Sequence, residues 1–133
     1  MTSGIQLKIS SDRWANLAGW FLVVTYGLGA LVFALLEYFG QVMSARFDYP
    51  PLFIYLVSLI QVLCSVALLF PRWVLLSLAV FTILSLGAVA SHFRIGSPIT
   101  SLPAAAYTVI QIWLAYRIWR DTIGAANEQA SKL

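Results

Sequence analysis

Residues 49–72 read YPPLFIYLVSLIQVLCSVALLFPR, and from Pro51 to Phe70 the stretch carries no charge. A membrane-crossing helix needs about 20 mainly apolar residues, and 51–70 supplies such a run. Pro50 and Pro51 suit its start, because a proline in the first helical turn gives up an N–H that has no partner there anyway. Pro71-Arg72 is too short a separator to be anything but a tight turn, so the next apolar run must double back beside this one. Working outward, three further runs qualify, at about 17–39, 73–92 and 100–119. Asp48-Tyr49-Pro50 and Gly96-Ser97-Pro98 punctuate the remaining gaps, and Pro103 falls near the first turn of the last run. The reading is an all-α polytopic membrane protein, a four-transmembrane-helix antiparallel bundle forming a single domain over residues 1–133.

Composition agrees. Of the 133 residues, 61% are hydrophobic and 10% charged, whereas soluble domains carry about 25% charged residues. Eight Lys/Arg and five Asp/Glu cannot solvate a globule this apolar. The formal charge of +3 is dispersed rather than clustered, which excludes nucleic acid as a partner. Disorder and a soluble enzyme domain are excluded on the same grounds. One cysteine, Cys64, and one histidine, His92, leave no intramolecular disulfide, no CxxC pair, no bis-histidine haem and no multi-histidine metal site in one chain. Cys64 reads as an inert buried thiol, since nothing basic lies near it in the sequence.

Lys8 and Arg13 precede the first apolar run, but its length and the lack of an A-x-A pattern mark it as a retained helix rather than a cleaved leader. The terminal Ser131-Lys132-Leu133 spells a peroxisomal address; three residues match by chance too often for it to carry weight. Basic residues orient the spans. Lys8, Arg13, Arg72, Arg117, Arg120 and Lys132 fall on one side, and Arg46 and Arg94 on the other. Both termini are therefore expected in the cytoplasm, in the cell inner (plasma) membrane. The tail from Arg117 is expected to be short, amphipathic or disordered, with Arg117 and Arg120 meeting anionic lipid head groups.

Polar side chains in hydrocarbon should turn toward one another. At helical spacing they form one stripe per span: Tyr26, Ala30, Phe33 and Glu37; Tyr55, Ser58, Gln61 and Ser65; Thr82, Ser85, Val89 and His92; Ala104, Tyr107, Gln111 and Leu114. Gln61, Thr82, Ser85 and Gln111 then lie near mid-membrane, where they serve as interhelical glue or line a ligand. Glu37, His92 and Arg94 gather at one mouth, as a structural ion pair or a head-group site. Glu37, Tyr55, Gln61, His92, Arg94, Tyr107 and Gln111 are the candidate pocket or ion-pair residues; no residue is assigned a catalytic role and none a metal.

The Tyr49-Pro50-Pro51 opening, the run from Leu63 to Pro71-Arg72, and the segment from Gly87 through Ser91-His92 to Gly96-Ser97-Pro98 resemble the DoxX-like family of small four-helix membrane proteins, over about residues 17–119. Where many relatives carry a glutamate in the second helix, this chain has Gln61. The family is named after a subunit of a thiosulfate:quinone oxidoreductase, and other members are described as membrane partners of redox or stress-response proteins. The resemblance thus implies an accessory or scaffold subunit of a redox-associated membrane complex without chemistry of its own. The lipid bilayer surrounds it, with a membrane protein or a second copy of the chain as partner. The alternative is a quinone-interacting subunit, with quinone or lipid bound non-covalently and His92, Arg94 and Tyr55 donating to the carbonyls. A small-molecule transporter ranks third, because proton-coupled carriers need a carboxylate deep in a span and Glu37 stands at the end of its own.

Overall fold

The structure, a computed structural model, describes residues 12–131; Lys8, Lys132 and Leu133, used above for orientation and the terminal tripeptide, lie outside them. All regular structure in that range is helical. α1 spans Arg13–Gly40, α2 Val42–Phe47, α3 Pro51–Ala67, α4 Val74–Arg94 and α5 Leu102–Ala130, with 3-10 turns at Pro71–Trp73 and Pro98–Ser101 leading into α4 and α5. Among the described residues, three stretches are long and apolar enough to cross a membrane: Arg13–Gly40, Pro71–Arg94 and Pro98–Ala130. α3 is apolar too, but its 17 residues make a rod of about 26 Å at 1.5 Å per residue, against a hydrocarbon core of about 30 Å.

The expected end of that helix at Phe70 is thus corrected to Ala67. Pro71 disfavours helical geometry in the residue before it, and Phe70 is extended, at φ −108 and ψ 116. The final turn tightens instead, with Leu69 and Phe70 donating to Val66 and Ala67 at 3.0 Å. The first helix starts earlier than Leu17, because the Asp12 side chain accepts from the Trp14 N–H at 2.9 Å and caps it. The last helix does not stop near Trp119. Its continuation holds Ala125, Ala126, Glu128, Gln129 and Ala130, which are good helix formers, and the tail is a helix to Ala130.

α2 was not anticipated. Gln41 takes a left-handed conformation (φ 47) that ends α1, and it leaves the first N–H groups of α2 without a capping side chain of their own. Glu37, one turn back on α1, supplies the acceptor. Its Oε2 receives the N–H groups of Met43 at 3.1 Å and Ser44 at 3.0 Å, satisfying donors that a helix start otherwise strands.

α1 packs most closely against α3 and α4 against α5, with thinner seams between α3 and α4 and between α1 and α5. α1 and α4 therefore stand diagonally. The Asp12–Arg117 ion pair brings the start of α1 beside the later part of α5, defining a termini end opposite the α2 end. Burial is inverted relative to a soluble protein. Leu28, Ile83 and Val109 are 60–69% exposed, while Gln111, Glu37, Ser77 and Ser85 are buried. Lipid is the solvent that makes such a surface stable. The apolar core of Ala15, Leu22, Leu68, Val74, Leu78, Phe81, Leu114 and Ile118 fills the termini end and reaches the middle.

Candidate functional site

At the middle of the molecule three helices meet through polar atoms. Gln111 Nε2, on α5, donates to the Tyr26 hydroxyl at 2.5 Å and to Ser85 Oγ at 3.2 Å. Tyr26 Oη and Ser85 Oγ are themselves 2.5 Å apart. Tyr26 reaches across the diagonal from α1 to α4, and its ring stacks on Phe81 with centroids 4.1 Å apart. The helical spacing of the first, third and fourth stripes places these groups at one level. In hydrocarbon such bonds contribute about 0.6–2 kcal/mol each. Gln111 is fully buried, and its Oε1 has no hydrogen-bond partner.

Toward the α2 end the helices part and leave space that opens to the surface. Two lobes of about 310 and 390 Å³ share Phe33, Gln61, Leu84, Ala88 and His92 as a common wall. The first lobe lies between α1, α4 and α5, over Tyr26 and Ser85, with Thr25, Thr100 and Tyr107 on its sides. The second opens beneath α2, and is apolar and aromatic, with Met43, Phe47, Tyr49 and Phe53. Among the described residues, no Asp, Glu, Lys or Arg lines either lobe.

The candidates taken from the sequence divide. His92 and Gln61 sit on the shared wall, Tyr107 lines the first lobe, and Gln111 lies behind its floor. Tyr107 packs against Phe21 and Tyr26, with centroids 5.7 and 5.3 Å away. Tyr55 is exposed and lines neither lobe. The expected approach of His92 and Arg94 to Glu37 does not occur. Glu37 is buried against the first turn of α2, on a helix diagonal to α4; its Oε2 serves as the cap, and its Oε1 has no hydrogen-bond partner among the described residues. Arg94 donates to the Phe47 carbonyl and lies over the Tyr49 ring, 4.6 Å from its centroid, while the Tyr49 hydroxyl meets Ser91 Oγ at 2.9 Å. These contacts strap the α2–α3 segment onto the end of α4. Arg117 pairs with Asp12 and lies over Trp113.

His92 is held from the side. Phe47 meets its ring edge-on at 5.1 Å, and Thr100 Oγ1 lies 2.7 Å from Nδ1. Thr100 was read only as the start of the last helix. It comes back to His92 because Gly96, at φ +71, turns the chain in a conformation that favours glycine; the Gly96-Ser97-Pro98 break was its one signal in the sequence. Ala88 was missed as well, since a small residue on an apolar helix announces no cavity.

The family model of the DoxX-like family matches residues 16–115, a span that contains every residue of both lobes and ends before the helical tail. No curated protein and no solved structure matches the chain.

Proposed function

The chain belongs to the DoxX-like family, and from that premise we propose that it is a four-span inner-membrane protein acting as an accessory or scaffold subunit of a redox-associated complex, its hollow end receiving a lipid-like small molecule. In this reading α1, α3, α4 and α5 form an antiparallel bundle with both termini in the cytoplasm, and α3 crosses with Leu68, Leu69 and Phe70 extending its apolar length and the bilayer thinning locally. One observation carries the functional part: Glu37 and Arg94, the two charged groups expected to form the mouth, bond to backbone atoms instead, while the cavity beside them is walled by neutral side chains. A neutral pocket of a few hundred Å³ suits an amphipathic ligand. It offers no carboxylate with which to exchange a proton for a cationic substrate.

A quinone-interacting subunit is the second reading. It draws on His92, placed on the wall common to both lobes; Tyr55 and Arg94, the other expected donors, stand outside the cavity. Mild-detergent purification with mass spectrometry of co-eluting proteins and lipids separates the possibilities. A stoichiometric membrane partner is the expected result, and co-purifying quinone lost in His92→Ala favours the second reading. A monomer carrying bulk lipid alone overturns both. Fusion of a cytoplasm-active fluorescent reporter and of a periplasm-active phosphatase to the C-terminus tests the orientation, with the first active and the second silent.

A further inference from the structure

Resting on the reading of the hollow end as a binding site, we propose that its ligand is a neutral amphiphile bearing a hydroxyl donor, an alcohol or a phenol, selected over molecules whose polar head only accepts hydrogen bonds. The selection comes from two side chains on the wall between the lobes. Gln61 Oε1 is buried without a hydrogen-bond partner, and a buried acceptor left unmet costs about 1–3 kcal/mol. The terminal torsion of a glutamine is broad, so a donor arriving in either lobe is met without moving α3.

His92 is the second acceptor. Thr100 Oγ1 lies 2.7 Å from the Ser97 carbonyl and 2.7 Å from His92 Nδ1. A threonine hydroxyl has one hydrogen, and a carbonyl can only accept. In the tautomer that makes hydrogen bonds of both contacts, the hydroxyl hydrogen goes to Ser97 and Thr100 accepts from Nδ1–H. That tautomer leaves Nε2 with its lone pair and, among the described residues, no hydrogen-bond partner. A ketone, ester or quinone head finds a donor in the Gln61 amide but leaves both acceptors bare. An ammonium head would enter a wall without a carboxylate, and an anionic head one lined by neither Lys nor Arg, each at the desolvation cost of a charge. A hydroxyl meets the acceptors and remains neutral, while the aromatic second lobe takes the alkyl or aryl body.

The test compares 4-nonylphenol, its methyl ether 4-nonylanisole, and nonyl-1,4-benzoquinone by calorimetric titration of the full chain in maltoside micelles, with micelle-only blanks. The wild-type protein is expected to bind the phenol at least about ten-fold more tightly than the ether or the quinone, the ratio that one hydrogen bond to a buried acceptor supports. In Gln61→Leu and in His92→Phe the preference for the phenol over the ether should fall about three- to ten-fold, read as a ratio within each variant so that a general change in affinity cancels. Equal affinity for phenol and ether, or tighter binding of the quinone, overturns the hydroxyl assignment while leaving the cavity a binding site. An undiminished preference in both variants overturns the assignment to these residues. Binding of none of the three probes overturns the assignment and the binding-site reading together.

Discussion

The two ends of this molecule are built on opposite plans. At the termini end Leu22, Leu68, Leu78, Phe81 and Leu114 are fully buried against one another, and Asp12 and Arg117 close the bottom. At the α2 end the same helices part around two lobes, and the sealing is done by straps: Glu37 on the first turn of α2, Arg94 on the Phe47 carbonyl, Tyr49 on Ser91. The layer of Tyr26, Ser85 and Gln111 is the boundary between the plans. A close-packed interior holds the helices in register, and a strapped, hollow end then tolerates unfilled volume. Stability and binding should therefore separate by level along the helices, and substitutions at successive levels can break or sharpen that division.

Phe81→Ala, in the packed half, should have the largest effect. Removing a fully buried ring that also supports Tyr26 should cost about 3–5 kcal/mol, read as a large fall in the temperature at which the detergent-solubilised protein loses its monodisperse elution peak. Glu37→Ala follows. Losing the cap of α2 should cost about 1–2 kcal/mol and loosen the segment 41–48, detected as faster amide exchange confined to Met43, Ser44 and their neighbours; equal loosening of α5 would show that the straps and the core are not separate. Tyr26→Phe, at the boundary, should cost about 1 kcal/mol by leaving the Gln111 amide and Ser85 to find other partners. Ala88→Leu should change stability least, within about 0.5 kcal/mol, because its side chain grows into existing space on the wall between the lobes. That substitution should nevertheless abolish 4-nonylphenol binding. If it destabilises as much as Phe81→Ala, the lobes are packed core rather than a site.

Part of this plan was open to reading before any coordinates. Prolines and uncharged runs locate the helices to within a few residues, since a missing N–H and a hydrocarbon solvent act through local chemistry. Misplaced ends arose where a cap, a terminal turn or local propensity decided them: Asp12 lengthens α1, Pro71 shortens α3, and the alanines of the tail continue α5. The polar stripes put Gln61, Tyr107, Gln111 and His92 at the cavity or its floor. Glu37, Arg94 and Tyr55 were legible as interfacial polar residues but not by partner. Charge complementarity suggested that Glu37 would seek a cation, whereas the unfilled N–H groups of a short helix lay nearer.

Apolar periodicity and the scarcity of charge by themselves determined that this chain lives in lipid, that it is helical, and that mid-span polar groups such as Ser85 and Gln111 turn inward, because each of these follows from the solvent and from the 3.6-residue repeat. Which helices are neighbours, that α1 and α4 face each other across a diagonal bridged by Tyr26, and that space remains above that bridge were decided only by the tertiary structure. Cavities and ion-pair choices depend on distances between side chains far apart in the chain, and those distances exist only once the helices have packed.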